Sequence, residues 1–158
     1  MRHLVACLSL LALGGALWAQ EDRVDADGVR NLAAAFSAAW AQHDPEALAT
    51  LWVADGDIVN PMSRAARGHS ELVRFFRDEH SSYMKGTGLT VKVTGTRVLG
   101  PGLALVDCEA QLTGVRTPDG KAMPPLTHLI VGVVTKTPEG WRFVSARLSV
   151  PVPAPPES

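Results

Sequence analysis

Cysteine, net charge and the common catalytic signatures are all scarce in this sequence. Two cysteines occur in 158 residues, and the net charge is -1. A chain so nearly neutral carries no electrostatic footprint for nucleic acid, which is bound through excess Lys and Arg. No internal repeat or long run of like charge appears. His43, His69, His80 and His128 show no metal-ligand spacing such as H-E-x-x-H. Asp55-Gly-Asp57 lacks the remaining ligands of a calcium loop. No Gly-rich phosphate loop precedes a helix, and there is no G-x-S-x-G. No metal and no cofactor is expected.

What is present is an ordinary globular composition, with 46% hydrophobic and 20% charged residues. That length supports one domain with a sizeable core. The N-terminus reads differently. Met1-Arg-His3 is a short basic start, Leu4 to Leu17 is apolar, and Ala19 precedes charged Glu21-Asp-Arg23. This is the pattern of a secretory signal peptide, too short for a comfortable membrane span. Residues 1-19 are expected to be removed, leaving a secreted or periplasmic protein with no membrane attachment. Cleavage also removes Cys7, so the mature chain keeps only Cys108 and forms no internal disulfide. Cys108 lies in an apolar strand and is expected to be a buried, inert thiol.

The mature chain orders helices first and strands second. Asp25 or Asp27 caps a helix whose face is Val29, Leu32, Ala33, Phe36, Trp40 and His43. Asp44-Pro45 starts a short second helix with Leu48, Leu51 and Trp52 on its apolar side. A third helix follows Gly68, with Leu72, Phe75, Phe76 and Tyr83 as its stripe. After Gly88 everything reads as strand: Leu89–Val93, Leu103–Leu112, Leu126–Thr135 and Trp141–Val150. Residues 20-150 form the domain, and the Pro-rich 151-158 reads as a disordered tail. The fold class is α+β: three N-terminal helices on a curved antiparallel sheet, a cone.

Strand parity assigns the faces. Pairing through the intervening loops puts Val106, Cys108, Ala110, His128, Ile130, Val134, Val144, Ala146, Leu148 and Val150 on the face toward the helices. Asp107, Glu109, Gln111, Thr127, Trp141, Phe143 and Arg147 fall on the other face, mixed enough for solvent or a second copy. A homodimer through that face is expected. A one-residue slip would reverse the assignment.

The stretch Ala47–Phe76 organises the rest. A helix ends in Leu51-Trp52, an Asp-Gly turn leads to the strand Asp57-Ile-Val-Asn60, and Pro61 stops it. Asn60 therefore stands at a strand end beside open loops, either as a turn cap or as a site residue. This order, D-G-D-I-V-N-P, then R-G, then a helix containing F-F, resembles the nuclear transport factor 2-like superfamily. That superfamily includes the ketosteroid isomerases, the SnoaL-like cyclases and the SgcJ/EcaC group. The resemblance runs from Gly28 to Val150 and implies the cone fold with a cavity between helices and sheet. It implies little about activity, since the fold hosts many functions.

Against the isomerase pattern the reactive positions are changed. Phe36 stands where the resemblance implies a Tyr donor, and Asn60 where it implies the Asp base. His128 occupies the strand position of a protonated carboxyl donor. Phe donates no hydrogen bond and Asn abstracts no proton, so the pocket is implied and the isomerase mechanism is not. His128 is either a satisfied core histidine or an acid/base group, with Asn60 orienting a carbonyl or water. Phe36, Trp40, Trp52, Met62, Phe76 and Leu148 complete the expected lining. Glu79-His80 reads as an exposed pair at a helix end. The expected partner is an apolar or aromatic small molecule. Binding, catalysis through His128, and a structural dimer module with a filled cavity remain the three functional readings.

Overall fold

The computed structural model describes residues 25-152. The expected signal peptide lies outside them, as does most of the Pro-rich tail. Helix α1 spans Ala26–Ala41 and is capped by Asp25, whose Oδ1 accepts from the Gly28 amide at 2.9 Å. Its buried side is Val29, Leu32, Ala33, Phe36, Ala39 and Trp40. Helix α2, Pro45–Ala49, begins at Asp44, which accepts from the Glu46 and Ala47 amides. Proline at the first turn loses nothing, because its N–H would have no partner there.

Strand β1 covers Trp52–Val59 and pairs with the short β2, Ala65–Arg67. Asp55-Gly56 is therefore not a turn between helix and strand, as the sequence suggested. It is an irregularity inside one strand, where the β1 register shifts between Trp52 and Asp57. Helix α3, His69–Ser81, follows Gly68, whose φ of +79° suits glycine. It ends before Tyr83. Strands β3 (Gly88–Gly100), β4 (Leu103–Thr113), β5 (Leu126–Thr137) and β6 (Gly140–Ser149) form the antiparallel meander.

The sheet order is β2-β1-β6-β5-β4-β3, with β1 running parallel to β6. That parallel join adds β1 and β2 to the edge of the meander, and the fold is α+β with helices packed on a curved, mostly antiparallel sheet. Cys108 is buried on the helix side, and burial, with Asp107 adding to it, pushes its thiol up to about 11.

The parity assignment fails at the start of β6, for Trp141 and Phe143, and a bulge is the reason. Between β5 and β6 the pairing runs Gly132↔Ala146 and Val133↔Ser145, then Val134↔Phe143. Val144 is the extra residue, so side chains before it exchange faces. Phe143 and Trp141 turn inward and are buried, while Val144 is only half-buried. Phe143 packs against Trp52 at 4.9 Å between ring centroids and against Phe36 at 6.3 Å. Gly132 makes this possible, because a Cβ there would stand 3.0 Å from the Phe143 ring. The outer face thus carries Leu129 and Val131, exposed, with partly exposed Leu105 and Val133 and polar groups. Arg147 on that face pairs not with Asp107 or Glu109 but with Asp57, through 2.8 and 3.2 Å contacts.

Candidate functional site

A cavity of about 270 Å³ lies between the helices and the inner face of the sheet. Phe36 and Trp40 of α1, Phe75 and Phe76 of α3, and Ile130 and Leu148 of the sheet supply apolar wall. Met62, Tyr83 and Val150 also line it and are well exposed, which marks its mouth. The segment after β4 crosses nearby and adds Val115 and Arg116.

Seven of the eight residues expected to line a cavity do so: Phe36, Trp40, Asn60, Met62, Phe76, His128 and Leu148. Trp52 does not. It opens β1 and packs on Phe36, Phe76 and Phe143, with its Nε1 donating to the Asp57 carbonyl at 3.0 Å. Its place on the far side of Phe36 follows from β1 starting at residue 52 rather than at 57.

Asn60 is both turn cap and cavity residue. Its Oδ1 accepts from the backbone amides of Met62 (3.0 Å) and Arg64 (2.9 Å), which shapes the turn between β1 and β2. Its Nδ2 donates to Glu79 Oε1 at 2.8 Å. Asn60 therefore orients the Glu79 carboxyl group.

Glu79 is the residue the sequence reading misplaced. It is 4% exposed, on the cavity wall, whereas a helix-end pair open to solvent was expected. Tyr83 completes its setting by donating from its hydroxyl to the same Oε1 at 2.7 Å. Burial raises the Glu79 pKa above the usual carboxylate range. The donors Tyr83 and Asn60 and the charge of Arg64 pull the other way, and Asp78 adds to burial. The missed signal was spacing: Glu79 follows Leu72, Phe75 and Phe76 at +7, +4 and +3, on the buried stripe.

His80 is buried too. Its Nδ1 lies 2.7 Å from His43 Nδ1, its ring packs on Trp40, and its Nε2 has no hydrogen-bond partner among the described residues. Burial, then the neighbouring His43, lowers its pKa to about 4. His128, opposite Ala110 in the sheet, is half-buried on the cavity wall, and its Nδ1 has no hydrogen-bond partner among the described residues. Burial lowers its pKa, against a smaller opposing effect of the Leu126 backbone. Among the described residues, no three His, Cys, Asp or Glu side chains converge as a metal site would require.

This arrangement of helices, sheet and cavity agrees with comparison to known proteins. The model of the SnoaL-like domain matches residues 29–153. The chain belongs to the SnoaL-like family. No curated protein matches it. Among solved structures, it is similar to a domain of unknown function with a cystatin-like fold from Nostoc punctiforme. That pair has 20% identity over 82% of this chain and 78% of the other, with a TM-score of 0.71. A putative scytalone dehydratase from Novosphingobium aromaticivorans has 18% identity, coverage of 85% and 89%, and a TM-score of 0.70. A ketosteroid isomerase-like protein from Erwinia carotovora has 19% identity, coverage of 80% and 96%, and a TM-score of 0.64. At these identities the likeness is one of fold.

Proposed function

We propose that this SnoaL-like protein binds a small, largely apolar molecule, after export to a secreted or periplasmic location. The observation that carries the reading is the open cavity of about 270 Å³, walled by aromatic and aliphatic side chains around a few fixed polar groups. Apolar pockets with a few placed polar groups are the usual small-molecule sites. A purely structural module would have filled that space. Association into a homodimer belongs to the same proposal, with Leu129 and Val131 on the exposed sheet face as its apolar centre. Native mass spectrometry of protein purified from its own compartment tests the binding reading. A retained molecule adds a fixed mass, and that mass disappears on denaturation. Protein carrying no ligand, and binding none from an extract of that compartment, would overturn it.

A second reading adds catalysis, and it rests on two titratable groups, His128 and Glu79, lining one cavity. In it His128 is the acid/base, and Asn60 acts through Glu79. Turnover with a neutral-pH optimum, lost in His128→Gln, is its expected signature. No conversion of a β,γ-unsaturated ketosteroid is expected, because Phe36 and Asn60 supply neither the donor nor the base. Absorbance of the conjugated product would reveal the contrary.

A further inference from the structure

We propose that Glu79 is the residue that recognises an oxygen atom of the bound molecule, donating from Oε2 while Asn60 and Tyr83 hold Oε1. The ligand class that fits is an uncharged carbonyl or hydroxyl compound with an apolar body. The inference rests on the binding function proposed above and specifies its polar contact.

The geometry leaves one carboxyl oxygen for this role. Oε1 accepts two hydrogen bonds, from Asn60 Nδ2 and from the Tyr83 hydroxyl. Asn60 is itself locked by the Met62 and Arg64 amides on its Oδ1. A carboxylic acid has one proton, and an Oε1 already engaged by two donors is the poorer place for it. Oε2 takes no hydrogen bond from any described residue, and Glu79 lines the cavity. When Glu79 carries its proton, Oε2 presents O–H to the cavity, with Asn60 and Tyr83 as positioning residues. An ionised ligand is disfavoured by the apolar walls, since a buried charge needs a partner.

Ionisation of Glu79 would convert this donor into an acceptor and reverse the preference. The groups around it set when that happens. Asp78 and His80 flank it on α3, Tyr83 follows that helix, and Arg64 approaches from the β1–β2 turn. Arg64 is engaged with Asp78 at 2.6 Å, which spends much of its charge away from Glu79. Arg116 and His128 share the cavity wall from the sheet side.

The test uses three probes of similar shape with the full mature chain: 2-acetylnaphthalene, 2-isopropylnaphthalene and 2-naphthoate. At the acid end of the folded range the ketone should bind about tenfold more tightly than the hydrocarbon. That advantage should fall as pH rises and Glu79 ionises. In Glu79→Gln, whose amide can accept at Oε1 and donate from Nε2, the advantage should persist and lose its pH dependence. Equal binding of ketone and hydrocarbon would overturn the inference while leaving the binding function intact. Tightest binding of 2-naphthoate at every pH would also overturn it, moving the anchor to Arg116. If no probe binds, the cavity reading fails for this ligand class. The ¹³C shift of the Glu79 carboxyl then decides the inference separately: titration in the ordinary carboxylate range would overturn it.

Discussion

The two ends of the interior are built from the same elements and behave as opposites. At one end Phe36, Trp52, Phe76 and Phe143 meet edge to face or tilted, within 4.9–6.4 Å between ring centroids. At the other end, α3 brings Glu79 and His80 into burial, and Asn60 follows the end of β1. The aromatic end is stabilised by area removed from water and by ring geometry. The polar end keeps its groups only through specific partners, and two of its histidine nitrogens have none. One end holds the fold together, and the other stores polar groups a merely stable protein would leave outside.

Phe143→Ala should be the most damaging single change if that division is right. Phe143 is 2% exposed and touches rings from α1 and β1. Truncating a buried Phe costs about 3–5 kcal/mol. Urea unfolding should show the loss as a lower midpoint at unchanged slope. A loss below about 1 kcal/mol would mean that the aromatic end can collapse around the hole, and the contrast between the ends would weaken.

Acid should strike the polar end next. His80 has a folded pKa of about 4 against an ordinary histidine value of 6.5. The folded state thus binds fewer protons than the unfolded state between those values, and stability must fall as pH drops from 6.5 to 4. The slope approaches about 1.4 kcal/mol per pH unit for one group. Glu79 acts with the opposite sign: its raised pKa means that stability is lost as pH rises above 4.5 and through its folded value. Stability measured against pH in wild type, His80→Phe and Glu79→Gln separates the two. Above 4.5 the two windows overlap with opposite slopes, so removing His80 should leave stability falling as pH rises, and removing Glu79 should leave it rising toward 6.5.

Asn60→Leu should cost less, about 2 kcal/mol, because it strips partners from the Met62 and Arg64 amides and from Glu79. Asn60→Asp keeps the turn but sets a second carboxyl beside Glu79, so a proton must be shared and one pKa rises further. The expected readout is a variant that folds below neutral pH and loses stability steeply above it. A flat pH response would mean that Glu79 is better solvated than its burial implies.

Much of the aromatic end was legible in the sequence, and little of the polar end was. Helical spacing picked out Phe36, Trp40, Leu72, Phe75 and Phe76, since periodicity is a direct record of burial. The same stripe reached Glu79, but composition argued for solvent, because carboxylates are rarely buried unless paired. Its partners, Asn60 and Tyr83, come from a strand end 19 residues earlier and from beyond the helix, and no local pattern joins them. Trp141 and Phe143 were misassigned for another reason. Alternation carries no mark of a bulge, so one extra residue at Val144 moved both aromatics to the wrong face. His128 was placed correctly because its half of the pairing precedes that bulge.

The smallest effect on the fold is expected outside both ends, on the exposed sheet face, and there the reading of the surface can be tested cleanly. Leu129 and Val131 are 42% and 45% exposed, so Leu129→Thr with Val131→Thr removes little buried area. Surface changes of this kind usually stay within about 0.5 kcal/mol per site, and threonine keeps the strand preference of the positions. The unfolding slope and the cavity should therefore be untouched. If two copies meet through this face, however, these are its apolar centre now that Trp141 and Phe143 are known to point inward. The neighbouring Arg147–Asp57 pair is already satisfied within one chain, which suits a rim more than a centre. Light scattering across a concentration series should then show a dimer for the wild type and a monomer for the double variant, at equal stability of the isolated chain. A wild-type chain that stays monomeric at high concentration would leave the face as solvated sheet surface and confine recognition to the cavity.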